Sequence, residues 1–474
     1  MSMKPLFRIL STIPLLFCFC SLASCDQPSK NAATGETSAA TATASANHAG
    51  DFDWPRLLGK NFDGVAETSG IELDWTETPE VIWRLPVGDG YGLGCVVDGR
   101  YYHADAVRSD QPLGQRGFIE RLRAFDLKDG RLIWSVDRPL EYRDMYGYET
   151  GPRGTPASDG KSILTFGCDG ELCCRDITDG SLKWSVSTNQ EYGVVQNFFG
   201  VGSSPLILDS MVIVPVGGSP AEDQQIAPGR LDRVIPNGSA LVAFDLAGGD
   251  QVWKCGDDLA SYSSPRPMKI GDKTVVLLFA RNHLLAVDPE AGKVLWKQPH
   301  RADILESVNA MMPVVDGDRV FISECYQVGS RLMKVTPDGA NTLWLDPPRN
   351  RRAQAMRCHW STPVLVDGFL YGCSGRNNPD SDFRCVELAT GKVRWSDDRG
   401  MRTSVTRAGE HLIVLDEYGR LEIVRPNPEK LEILAEYDFG DQLQTPCWAA
   451  PILVGDSMLI RGDGHVLCLA IATR

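Results

Sequence analysis

Leu284-Leu285-Ala286-Val287-Asp288-Pro289-Glu290-Ala291-Gly292-Lys293-Val294-Leu295-Trp296 decides how this chain folds. An apolar strand runs into an acidic turn with a glycine, and a second strand ends on tryptophan. The phrase returns as LRAFDLKDGRLIW at 122–134, LCCRDITDGSLKW at 172–184 and LVAFDLAGGDQVW at 241–253. LMKVTPDGANTLW at 332–344 and FRCVELATGKVRW at 383–395 continue it, and Val81-Ile82-Trp83 carries its last strand alone. Successive tryptophans from Trp83 to Trp395 lie 51, 50, 69, 43, 48 and 51 residues apart. Each interval has room for four short strands with their turns, which is one blade of a radial repeat.

Working outward, an inner strand opens most units after a proline: Thr155-Pro156, Ser204-Pro205, Ser264-Pro265, Met312-Pro313, Thr362-Pro363 and Ala450-Pro451. A hairpin turn such as Asp98-Gly99, Asp159-Gly160, Asp316-Gly317 or Asp367-Gly368 follows, supplying the positive φ that tight hairpins need. From Leu421 the chain gives a degenerate copy that passes Leu434 without a tryptophan. The last unit, Pro451 to Ala470, stops after its third strand, Val466 to Leu469. Its missing fourth strand stands at the other end of the chain, around Trp83. The reading is all-β: an eight-bladed β-propeller of four-stranded antiparallel blades, closed by pairing N-terminal and C-terminal strands. Closure leaves no open sheet edge. The spacing places Trp83, Trp134, Trp184, Trp253, Trp296, Trp344 and Trp395 at equivalent, largely buried positions in successive blades.

The pattern of inner strand, turn and DxxxGxxxW resembles the pyrroloquinoline-quinone (PQQ) type repeat over residues 52 to 472. The opening Trp54-Pro55-Arg56-Leu57-Leu58-Gly59-Lys60-Asn61-Phe62-Asp63-Gly64-Val65 also resembles the lead-in of exported bacterial propellers of that kind. The resemblance implies a fold. It leaves function open, because such blades serve quinoprotein dehydrogenases and non-catalytic scaffolds alike.

Residues 1–25 read as a targeting segment. Lys4 and Arg8 precede an apolar run, Ile9 to Ala23, too short for a convincing span. Leu22-Ala23-Ser24-Cys25 matches the bacterial lipoprotein signal, in which Cys25 is acylated. Lipid chains would then hold the protein at a membrane, in the cell envelope and facing the periplasm. Residues 26–50 are rich in Ala, Thr and Ser and too poor in large apolar side chains to offset their ordering entropy, so they are expected to form a flexible tether. Residues 51–474 read as a single propeller, expected to be monomeric.

The chain carries 48 basic and 62 acidic residues, a net charge of −14 before Lys4 and Arg8 are removed with the signal. That balance argues against nucleic acid as a partner. Of 14 cysteines, Cys18, Cys20 and Cys25 belong to the signal. No CxxC or CxxCH occurs, and positions such as Cys385 and Cys468 fall where the repeat wants a small apolar side chain. Cys173-Cys174 is likewise read as packing, not redox chemistry. Gly88, Gly90, Gly92 and Gly94 alternate before a strand and do not form a dinucleotide turn.

The chemistry is expected in the segments joining each outermost strand to the next innermost one, which all emerge on one face around the channel. Tyr148, Arg153, Asn197, Tyr262, Asn309, Arg357, His359, Trp360 and Trp448 fall there, where a merely solvated loop would carry Lys, Glu, Ser and Gly. Convergent aromatic and polar groups at a channel mouth suit a small-molecule site. Two readings follow. One is a binding scaffold for an envelope protein or small ligand, similar in build to the propeller lipoprotein of the outer-membrane β-barrel assembly machinery. The other is a PQQ- and calcium-dependent dehydrogenase of alcohols or sugars. There Glu149 or Glu306 would serve as base, Asn197, Asp303 and Asn309 would offer calcium donors, and Arg153, Arg357 and Arg402 would pair with cofactor carboxylates. The long insertions that cover the cofactor in such enzymes are missing. The largest insertion, Gly217 to Gly238, lies within the third blade.

Overall fold

The computed structural model describes residues 52–68, 73–109 and 117–473. The signal, Cys25 and the tether lie outside them. Among the described residues no helix is long and apolar enough to cross a membrane.

Eight blades follow one another along the chain, each with four antiparallel strands; in the seventh, Val65–Ala66 of the lead-in adds a fifth strand, parallel to Thr403–Ala408. The first is built from Cys95–Val97, Arg100–Arg108, Phe118–Asp126 and Leu132–Pro139, ordered from the innermost strand outward. The eighth takes Ile452–Val454, Ser457–Arg461 and His465–Ala470 from the C-terminal end, and Glu80–Pro86 completes it from the N-terminal end. Trp83 pairs with Cys468 there, so the ring is closed by its two ends as the repeat count requires. A short pair, Leu73–Asp74 with Ala472–Thr473, adds to the closure.

The tryptophan phrase works the same way at each seam. Each of the seven indole N–H groups donates to a carbonyl in the turn of the following blade, at 2.7 to 3.2 Å. At five of the seven seams a glycine of that turn, Gly130, Gly180, Gly249, Gly292 or Gly391, gives the ring room. A Cβ on Gly249 would stand 2.6 Å from the Trp184 ring, and its φ of +80° favours glycine in any case. Trp184 and Trp296 are buried and the other five are half-buried. The residue facing the tryptophan across the third strand is Ala124, Cys174, Ala243, Ala286, Leu332, Cys385 or Cys468, and a register shift follows or adjoins that pair in every case. Three of the cysteines are therefore the small partner of a docked indole. All eleven cysteines of the described residues are buried and unbridged.

The seventh blade has Ala435 at the indole position, opposite Ile423. The eighth blade explains the exception: its third and fourth strands come from opposite ends of the chain, so no turn joins them to receive an indole. Trp75, from the lead-in, is buried in the same core, and Tyr437 donates to its carbonyl at 2.5 Å.

The lead-in closes one end of the channel. Trp54 bridges to Val96, Pro55 O accepts from Ser158 N, Phe62 O accepts from Arg266 Nη1, and Gly64 O accepts from Arg407 N. These contacts lie on innermost strands of the first, second, fourth and seventh blades. Leu58 and Phe62 hold left-handed φ values of 58° and 60°, a strain of about 1–3 kcal/mol each that both side chains repay by burial.

Candidate functional site

Antiparallel strand order puts two sets of loops on the open face: outermost-to-innermost connections, and second-to-third connections. Between them lies a cavity of about 280 Å³ at the channel mouth. Its shaft is walled by the residues before the inner-strand prolines, Thr155, Ser204, Ser264, Met312, Thr362 and Ala450. A pre-proline residue is held extended, and here its hydroxyl links blades. Thr155 N donates to Ser204 Oγ (2.7 Å), Ser204 N to Ser264 Oγ (2.8 Å), and Met312 N to Thr362 Oγ1 (2.9 Å). Leu57 and Leu58 of the lead-in also line the cavity, at its floor.

Aromatic rings crowd the rim. Trp360 and Trp448 lie 5.1 Å apart, Trp448 meets Tyr91 at 4.7 Å and Tyr148 at 6.4 Å, and Tyr148 leads through Phe199 (5.4 Å) to Tyr262 (5.6 Å). On the other side His359 stands edge-on to Trp360 at 5.0 Å and to Tyr326 at 5.9 Å. Arg402 lies over both Trp360 (5.1 Å) and Trp448 (4.6 Å), and Arg153 lies over Tyr91 and Phe199. Each of these two is held from behind: Arg153 by Asp144 at 3.0 Å, Arg402 by Glu417 at 2.5 Å. Burial alone would raise the Glu417 carboxyl, but hydrogen bonds from the Arg402 side chain and backbone outweigh it and hold it below the usual range. Burial, with Arg376 and Arg402 nearby, pushes His359 down to about 3, so the imidazole is neutral.

The structure brings Tyr148, Arg153, Tyr262, His359, Trp360 and Trp448 together around this cavity. It places the other three elsewhere. Asn309 is fully buried, and its amide nitrogen donates to the carbonyls of Ala280, Arg281 and His300. Asn197 accepts from its own loop at Phe198 N and reaches Ala260 O. Arg357 is buried against Asp380, donating to both carboxylate oxygens at 3.1 Å and to the Asp380 carbonyl at 3.0 Å. These three hold loops in place.

Glu149 lies behind Tyr91, accepting from Gly90 N at 2.5 Å. Burial, and a hydrogen bond shared with Asp463, push its carboxyl up to about 8. Asp303 and Glu306 are exposed and outside the cavity lining. The donors expected for calcium therefore do not converge, and among the described residues no group of three or more His, Cys, Asp or Glu is placed to hold a metal. These residues do not fit a quinone–calcium centre.

Arg376 and Tyr326 were not expected from sequence. Both come from second-to-third connections, which carry no repeat phrase. Tyr91 lies in the alternating glycine segment, where backbone crowds backbone: a Cβ on Gly94 would be 1.9 Å from Tyr102 O, and one on Gly88 2.1 Å from Ala106 O.

Fold and site together define a PQQ-repeat propeller with a cavity at the mouth of its channel. Residues 119–397, more than half of the chain, match the family described as outer membrane protein assembly factor BamB, and the chain belongs to that family. It is 23% identical over 276 residues to BamB of Shewanella oneidensis, covering 50% of this chain and 65% of that protein. With BamB of Bordetella pertussis it shares 23% over 263 residues, covering 52% and 54%. The matched region thus spans less than two thirds of these relatives. Among solved structures, quinohemoprotein alcohol dehydrogenase from Comamonas testosteroni superimposes with a TM-score of 0.58 at 13% identity, over 88% of this chain and 80% of that one. At that identity the likeness is one of fold.

Proposed function

We propose that this protein is an exported scaffold, anchored through lipid on Cys25 and facing the periplasm, that binds an envelope protein or small ligand at its aromatic mouth without turning it over. One observation carries the reading. The charged residues lining the cavity are Arg153, Arg376 and Arg402, with no carboxylate among them, so the lining offers stacking and hydrogen-bond donors but no carboxylate base. Membership of a family described by an assembly factor supports the scaffold reading. Exposed side chains beside the mouth, Met145 and Tyr146, extend the surface a partner would meet.

The test is a photo-crosslinking residue placed at Tyr146 in the full chain, against a control at Leu182 on a blade's outermost strand. Both positions are exposed. A discrete product from position 146 that disappears with Trp448→Ala supports the scaffold. Dye reduction by purified protein given PQQ, Ca²⁺ and an alcohol or sugar, abolished by Glu149→Gln or Glu306→Gln, would overturn it. The anchor is checked separately: a fatty-acid label should be incorporated by the wild type and not by Cys25→Ser.

A further inference from the structure

The geometry points to a carboxylate borne on an apolar body, about the size of one large side chain, as the ligand of this cavity, with Arg376 as its anion contact. The inference rests on the reading of the mouth as a binding site and names what enters it.

Charge sets the sign. In a protein of net charge −14, the cavity is lined by three arginines and no acid. A concave wall of one sign focuses the field and favours the opposite charge. Two of the three arginines are already neutralised from behind, by Asp144 and Glu417. Arg376 is different. Its guanidinium carbon lies over the Tyr326 ring, 4.7 Å from the centroid, the residue is half-buried, and no carboxylate of the described residues pairs with it. His359 is held neutral and adds no charge. Arg376 is therefore the one cationic group of the lining with an unmet call for an anion, and its planar fork suits a carboxylate.

The far end sets the body. Leu57, Leu58, Met312 and Ile452 line the cavity without charge, and the Ser204, Ser264 and Thr362 hydroxyls beside them already accept backbone N–H bonds from a neighbouring blade, so the part of the ligand that reaches them is uncharged and largely apolar. The volume, about 280 Å³, is at the small end for ligand sites and matches one residue-sized group with its headgroup. Such a group could come from a free organic acid or from the C-terminal residue of a polypeptide.

The experiment is calorimetric titration at neutral pH with 2-naphthoate, its neutral amide 2-naphthamide, N-acetyl-phenylalaninate, and a tetrapeptide ending in phenylalanine. Quenching of Trp360 and Trp448 fluorescence provides a second readout. At least one carboxylate should bind saturably, 2-naphthoate about tenfold or more tighter than its amide. Arg376→Gln should remove that preference with the melting temperature unchanged, while Arg349→Gln, outside the lining, leaves it intact. Ala310→Trp, which fills the cavity, should abolish binding of every probe. Tight binding of the tetrapeptide assigns a polypeptide terminus as the source, and binding of 2-naphthoate alone assigns a free acid. Equal affinity for acid and amide, a preference that survives Arg376→Gln, or no saturable binding by any carboxylate would overturn the inference. The scaffold reading would then still stand or fall on the crosslink at position 146.

Discussion

The seams between blades and the mouth of the channel both depend on tryptophan, and they use it in opposite ways. At a seam the indole N–H bonds a carbonyl of the next blade at 2.7 to 3.2 Å, and at five of the seven the ring covers that blade's turn glycine. At the mouth the N–H contacts are long, 3.4 Å from Trp360 to the Trp448 carbonyl and 3.5 Å from Trp448 to Glu417. There the rings face one another, Arg402 and the open cavity. A seam indole has its hydrogen bond met by the next blade of its own chain, and Trp184 and Trp296 are buried as well. A mouth indole retains surface for something else. Sequence composition cannot separate the two uses; repeat position can.

The comparison breaks first at closure. Deleting the chain after Gly462 removes His465–Ala470, the strand that both Glu80–Pro86 and Ser457–Arg461 pair with. Two edges are then exposed, and the truncated protein should aggregate or be degraded. A soluble truncation that melts cooperatively would contradict closure by the two ends.

A seam substitution comes next. Trp184→Ala removes a buried indole and its hydrogen bond to Leu246, and should cost about 3–5 kcal/mol by denaturant unfolding. Arg357→Ala should follow at about 1.5–3 kcal/mol, because it strips the buried donors from Asp380. A loss of ligand capture with unchanged stability would instead put Arg357 back among the binding residues.

A smaller effect concerns pH. Glu149 titrates in the folded protein near 8 and in the unfolded chain near its ordinary value of about 4.3, so between those values the folded state binds more protons. Its contribution to stability is full below about pH 4 and is lost as pH rises through 8. Melting temperature followed from pH 5 to pH 8 should therefore decline more in the wild type than in Glu149→Gln. Parallel profiles would show that the carboxyl is not held protonated.

Much of this was legible in the chain, for a physical reason. At five seams the turn glycine touches the tryptophan of the preceding unit, so glycine and tryptophan recur together once per blade, and blade number follows from the repeat interval. Cysteines at 174, 385 and 468 were readable as small residues because the repeat shows alanine at the same place. The ring-closing pair followed from a last unit one strand short. The mouth was readable only in part. Tyr148, Arg153, Tyr262, His359, Trp360 and Trp448 lie in connections that the repeat forces onto one face. Asn197, Asn309 and Arg357 lie in the same connections, but loop amides and guanidinium groups serve backbone carbonyls and carboxylates as readily as ligands, and only geometry separates the uses. Arg376 and Tyr326 sit in turns that vary from blade to blade, where spacing carries no information about the channel.

The most direct measurement sets Trp448→Ala beside Trp184→Ala in denaturant unfolding, with the crosslink from position 146 as the second readout. Trp448→Ala should lose less than about 1.5 kcal/mol and abolish the crosslink, while Trp184→Ala loses about 3–5 kcal/mol. If Trp448→Ala destabilises the protein as much as Trp184→Ala and leaves the crosslink intact, the mouth is a packed plug and the account is wrong.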